Sequence, residues 1–320
     1  MLLAADFIIH SALFGKLRWA GGGFKDRLKP YEVLSLGKFH HAIGKAKSMK
    51  MRLLLSLLPS LMLLGGCDLL TAKKPPGDIP IRFVDLQKTD DCMYEVELAN
   101  QRWNVDYLAF YLSEPQVRIE GRWQAVSFVP SKWQSRKLAL MQFHDACNSN
   151  ETNTVIKLDA NKKLLDRASA ISFTIGLPFS DNHSLSDNSP PPLNNAAMFQ
   201  SLRAGHSFMR IELQQANEPQ ALWSFMLASG ECHADNEDQA PRRCDKPNRV
   251  TLELPLRFNV EDLRLHAKLS QMLFRADMSA GTECNLATPE GSECRKVLSN
   301  LTGRDWIRWD APHQVYLKQN

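Results

Sequence analysis

Cysteine, histidine and tryptophan offer the most chemistry in this chain, and the cysteines come first because of their number and spacing. Seven are present. With Cys67 set aside, Cys92, Cys147, Cys232, Cys244, Cys284 and Cys294 form an even set, the pattern of a disulfide framework in an oxidising compartment. Cys232 with Cys244, and Cys284 with Cys294, enclose short polar loops, while Cys92 with Cys147 would join two early segments. Spacing favours these pairs without excluding other connectivities. Zinc fingers and Fe–S clusters use close Cys-x-x-Cys pairs, and the sequence has none. The sequence also lacks a Gly-x-Ser-x-Gly elbow, a His-Glu-x-x-His helix and a glycine-rich phosphate loop. Ser180, Asp181 and His183 crowd one loop, where nucleophile and base rarely face each other. His144-Asp145-Ala146-Cys147 reads as a loop leading into a disulfide. The chain is therefore expected not to be an enzyme.

Cys67 has a different use. Lys50 and Arg52 supply a short positive region, Leu53 to Leu64 are almost wholly apolar, and Gly65-Gly66-Cys67 follows. About a dozen apolar residues are too few to cross a hydrocarbon core of roughly 30 Å as a helix, so the segment reads as a secretion signal. Leu64-Gly65-Gly66-Cys67 resembles a bacterial lipobox, whose cysteine thiol is acylated. The expected organisation is a mis-assigned extension over 1–48, a lipoprotein signal peptide over 49–67, a tether over 68–80 and a working domain over 81–320. Lysine and proline enrich the tether. The protein is expected to be exported and lipid-anchored to the inner or outer membrane, facing the periplasm or the cell surface. Asp68 after the acylated cysteine resembles the inner-membrane retention signal of enteric bacteria.

The formal charge of +4 includes the basic N-terminal region, so the remainder lies nearer neutrality and gives no sign of a nucleic-acid partner. After the tether, apolar and polar residues alternate with period two in Ile79–Val84, Tyr94–Leu98 and Val105–Leu112, the mark of half-buried strands. Val117 to Val126 reads as a hairpin around Gly121. Further strands are expected over Ala170–Leu177, Ser207–Leu213, Trp223–Leu227 and Arg249–Leu254, and Asn259–Ala267 as a strand leading into a helical turn. Helices are expected only as inserts, chiefly over Leu193–Ala204 after Pro190-Pro191-Pro192, and over Cys294–Leu301. Many short strands between polar loops predict an all-β, antiparallel, disulfide-bearing β-sandwich. The long polar loop Ser180–Pro192 is a candidate functional segment.

Three distinctive segments form an ordered series: Gly176-Leu177-Pro178-Phe179-Ser180-Asp181-Asn182-His183, Pro192-Leu193-Asn194-Asn195-Ala196-Ala197-Met198-Phe199 and Phe208-Met209-Arg210-Ile211-Glu212. Ser229-Gly230-Glu231-Cys232 and Cys244-Asp245-Lys246-Pro247-Asn248-Arg249 follow, and Leu108 to Ser113 precede them. Together they resemble the MbnP family, the four-cysteine half of the metallo-mystery pair. The resemblance implies a copper-binding protein paired with a di-haem cytochrome c peroxidase-like enzyme of the MauG/MbnH type, which oxidises a partner tryptophan to kynurenine. Imidazole and amine nitrogens suit copper, and softer sulfur favours its reduced ion. The chain departs from the pattern at Gln200 and Leu202, where the family has tryptophans, and at Met226, where it has histidine. The implied metal ligands are then His183, with His206 and Met226 as substitutes. The alternative is a structural or interaction lipoprotein that has lost the metal site.

Overall fold

The computed structural model describes residues 74–257, 262–279, 281–288 and 294–310. The secretion signal, Cys67 and the start of the tether lie outside the described residues. Those described all belong to one compact unit, Asp68–Asn320. Among them, no helix is long and apolar enough to cross a membrane.

The fold is organised by one strand of 19 residues, Gln101–Ile119. It absorbs both the expected strand at Val105–Leu112 and the first arm of the expected hairpin. Glu114, at φ 50°, marks a break in its pairing, and the register shifts between Ser113 and Gln116. On the N-terminal side of this break the strand pairs with Tyr94–Leu98 and Met209–Gln215; beyond it, with Arg122–Ala125. Leu138–Gln142 and Ala168–Ile175 pair across the middle. The hairpin turns at Glu120 and Gly121, both at positive φ, which Gly121 accepts without a Cβ penalty.

The large sheet continues outward through Val250–Pro255 on one side, and through Glu218–Leu227 and Glu283–Asn285 on the other. A second sheet runs in the order Ile307–Trp309, Leu265–Ala267, Asp78–Phe83, Val155–Lys157. The two sheets close on a single apolar core. Phe83 meets Phe143 edge-on at 5.0 Å, and Phe110 meets Trp306 edge-on at 6.3 Å. The all-β sandwich is thus as expected, with two local exceptions to antiparallel pairing. Asp78–Phe83 lies parallel to Leu265–Ala267, and Glu283–Asn285 parallel to Glu218–Leu227.

Two disulfides join Cys92 to Cys147 and Cys232 to Cys244, both among the favoured pairs. Cys284 lies buried in the edge strand Glu283–Asn285, and Cys294 is buried at the start of the helix Arg295–Gly303. His144 to Cys147 does form a loop into a disulfide. The Asp145 carboxylate accepts the backbone N–H groups of Cys147 and Asn148, at 2.9 and 2.8 Å, and fixes the turn.

The helix expected over Leu193–Ala204 is absent. Asn195 caps a single 3-10 turn at Ala196–Met198, and the chain then becomes a short strand, Phe199–Ser201, paired with Gly205–His206. Helical continuation would need the carbonyls of this segment, and other groups take them. Ser207 N–H donates to Met198 O at 2.6 Å, and the Arg210 guanidinium donates to Ala197 O.

Candidate functional site

Along the central strand, Leu108 and Phe110 face the core between the sheets, while Tyr107, Ala109 and Tyr111 face the other way. Arg210 pairs with Ala109 and, on its other side, with Met226, so both share that second face. The segment from Pro178 to Ser207 covers it. The Arg210 guanidinium sits over the Tyr107 ring at 5.2 Å, and Tyr111 donates its hydroxyl to Pro192 O at 3.1 Å. Burial pushes the Tyr107 phenol up to about 12 and that of Tyr111 higher still, so both serve as neutral hydrogen-bonding groups.

Asn182 is the hub of this covering segment. It ends the helical turn Phe179–Asn182 and is fully buried. Its side-chain carbonyl accepts the His206 backbone N–H at 2.9 Å, and its amide faces Ser229 Oγ at 3.4 Å and His183 Nε2 at 3.2 Å. Gly205, at φ 77°, makes the approach possible, because a Cβ there would fall 2.5 Å from the Asn182 amide nitrogen.

The structure sets His183 and His206 on either side of Asn182, with different bonding. His206 is wholly buried, and Tyr111 and Phe199 meet its ring edge-on. Its Nδ1 is 2.8 Å from Asn182 O and its Nε2 is 3.1 Å from Leu193 O. Both nitrogens therefore face carbonyls. Burial lowers its pKa, outweighing the two carbonyls, which act to raise it. The sequence offered His206 as a substitute metal ligand, against a plain surface or loop histidine. Enclosure by the covering segment instead makes it an internal clamp.

His183 is half-buried, and its Nδ1 lies 3.0 Å from Leu202 O. A carbonyl can only accept, so Nδ1 carries the proton and Nε2 keeps its lone pair. Burial is the main cause of its lowered pKa, which favours this neutral form. Nε2 points toward the Cys232–Cys244 disulfide, 3.7 Å from Cys244 Sγ. The nitrogen and the two sulfurs lie within 4.8 Å of one another. This juxtaposition was not foreseen from the sequence, although Asn182-His183 and the two cysteine segments all belong to the motif series.

Met226 is partly buried, and its cross-strand neighbour on the outer side is Asn285. Gln200 bridges this region: its carbonyl accepts from Asn285 Nδ2 at 2.9 Å, and its amide donates to Ser207 Oγ at 3.0 Å. At the other departure from the family pattern, Leu202 contributes its backbone carbonyl to His183.

A two-sheet sandwich with a cysteine-stapled ribbon beside a covering segment defines the class of this protein. The MbnP family model matches residues 76–290, and the chain belongs to the MbnP family. Among solved structures it is similar to MbnP from Methylosinus trichosporium, with a TM-score of 0.56 and 18% identity. The match covers 72% of this chain and 93% of that one. No curated protein matches it.

Copper, which the family resemblance implies, is met by only part of the expected donor set. His183 fits once Nε2 gives up the Asn182 amide at 3.2 Å, because its tautomer is fixed and that nitrogen is an acceptor 3.7 Å from sulfur. His206 does not fit, because carbonyls face both of its nitrogens. Gln200 and Leu202 offer no indole to oxidise. Among the described tryptophans, Trp103, Trp223, Trp306 and Trp309 are buried, while Trp123 and Trp133 are partly exposed.

Proposed function

We propose that this MbnP-family protein binds copper at the end of the covering segment, through His183, while tethered to a membrane by an acylated Cys67. The carrying observation is the fixed Nδ1–H of His183, which turns the Nε2 lone pair toward the ribbon, where it accepts from the Asn182 amide at 3.2 Å and a bound ion would take that amide's place. In the family setting a di-haem peroxidase-like enzyme is its partner. With no indole at positions 200 and 202, oxidation by that enzyme would have to reach Trp123 or Trp133.

Copper competition against a chromophoric chelator tests this reading on the full, disulfide-intact chain in mild detergent. The expected result is one equivalent of copper whose binding weakens in His183→Ala. Binding identical in the wild type and His183→Ala would sink the copper assignment, and unchanged masses at Trp123 and Trp133 after exposure to the haem enzyme would sink the partner assignment. A second reading, an interaction lipoprotein without metal, draws on the amide bridge from Gln200 to Asn285 and Ser207, which fills the family's tryptophan position with a closed polar network.

A further inference from the structure

We propose that the Cys232–Cys244 disulfide masks a second form of the site: when reduced, the two cysteines and His183 make a Cys2His centre for a soft monovalent cation of the copper(I) type. This rests on the reading of His183 as a metal donor, and adds redox control to it.

The three donors come from two parts of the fold that meet at one point. Cys232 and Cys244 stand directly opposite each other on the paired strands Gly230–Cys232 and Cys244–Lys246, with Cα atoms 3.9 Å apart. His183 arrives from the helical turn Phe179–Asn182, and its ring orientation is set by Leu202 O. Bonds of about 2.0–2.3 Å from nitrogen and sulfur to one ion place ligand atoms roughly 3.3–4 Å apart. The donor atoms already lie within 4.8 Å of one another, and the His183-to-Cys244 separation of 3.7 Å falls inside that window. The two sulfurs must separate, and rotation about their Cα–Cβ bonds moves each of them relative to His183.

The surroundings suit both the reduction and the thiolates it yields. Cys244 lines a surface cavity of about 290 Å³, together with Arg242, Arg243 and Arg249. Phe179 and Leu177 supply its apolar wall. Through this opening a dithiol reductant reaches the Cys244 sulfur. Its thiolate attacks, the S–S bond breaks, and a mixed disulfide forms on Cys244 while Cys232 leaves as thiolate and takes up a proton. The second thiol of the reductant then displaces Cys244 and closes its own disulfide. The net transfer is two electrons and two protons to the cysteine pair. Binding of a monovalent cation then displaces both thiol protons to solvent, leaving a site of net charge −1 beside Arg242, Arg243 and Arg249, of which Arg243 also pairs with Asp245 and Arg249 with Glu114. Two thiolates with one imidazole favour copper(I) over hard cations.

The test uses the full chain, reduced with a phosphine that does not itself supply thiols, and titrated with copper(I) and, in a parallel arm, zinc(II). The expected result is a thiolate-to-copper charge-transfer band that saturates at one equivalent, is absent from the oxidised chain and persists in the C92S/C147S variant. Loss of a mere outer partner of a metal ligand costs roughly 10- to 100-fold in affinity, so His183→Gln, which leaves the disulfide intact, should weaken copper(I) binding at least that much. Cys244→Ser should abolish the band, with near-ultraviolet circular dichroism reporting whether the fold persists. No band in the reduced chain, or an affinity unchanged by His183→Gln, overturns the proposal, as does tighter zinc than copper(I) binding. A chain that binds copper when oxidised but shows no band when reduced overturns this inference alone. One that binds copper only when reduced keeps this inference and removes the reading for the disulfide-intact form.

Discussion

At the level of single residues, Asn182 and His206 hold the covering segment on the sheet. His206→Ala removes a buried ring and the one N–H that the neutral imidazole donates to Asn182 O or Leu193 O. The expected cost is about 2–4 kcal/mol in urea unfolding, read against a wild type of unchanged m-value. Gly205→Ala drives a Cβ into Asn182 at a positive φ and should cost about 1–3 kcal/mol by the same measurement. The histidines also set a pH dependence. Burial depresses the pKa values of His206 and His183 below their ordinary 6.5, so in that window the unfolded chain binds more protons than the folded one. Stability is then fully present above 6.5 and falls as pH drops toward the folded-state values. Thermal melts between pH 7 and pH 5 should show this decline, and His206→Gln should flatten it. Part of this site was legible: the Asn182-His183 pair stands in a motif, and the chemistry of His183 follows from its type. The role of His206 was not, because glycine and serine beside it resemble a loop, and only the folded segment above Tyr111 encloses it.

At the level of elements, the two disulfides differ in the length of chain they close. Cys92–Cys147 spans 55 residues and Cys232–Cys244 spans 12. In the chain-entropy account these correspond to about 4 and about 3 kcal/mol, so C92S/C147S should lower stability more than C232S/C244S. Differential scanning calorimetry of the two double variants settles the order. The ribbon variant should stay folded, since the large sheet does not depend on it. Strand recognition followed the same logic of exposure. Tyr94–Leu98 appears where alternation put it, and Val250–Pro255 is shifted by one residue, because one face of each is more exposed than the other. Leu138–Gln142 escaped notice because all five of its residues are buried and no period of two survives. The expected helix at Leu193–Ala204 failed for a complementary reason: the backbone partners that divert it come from Ser207 and Arg210.

For the whole molecule, the proposed anchor makes a direct prediction: Cys67→Ser should move the protein from the membrane fraction to the soluble one without changing its folded spectrum. The pairing of Ile81 with Leu265 bears on a different property. The first strand of the sandwich finds its parallel neighbour only near the other end of the chain, and the central strand joins Phe110 to Met209. Contacts this remote in sequence must pay loop-closure entropy before they return any stabilisation, so refolding should fall toward the slow end of the milliseconds-to-seconds range of all-β domains. A chain truncated before Leu265 should remain unfolded, since Asp78–Phe83 would lose its neighbour on that side. The strands before Ile175 can begin to pair among themselves as the polypeptide emerges, but the second sheet and the core beneath it stay open to proteases until Leu265–Ala267 and Ile307–Trp309 arrive.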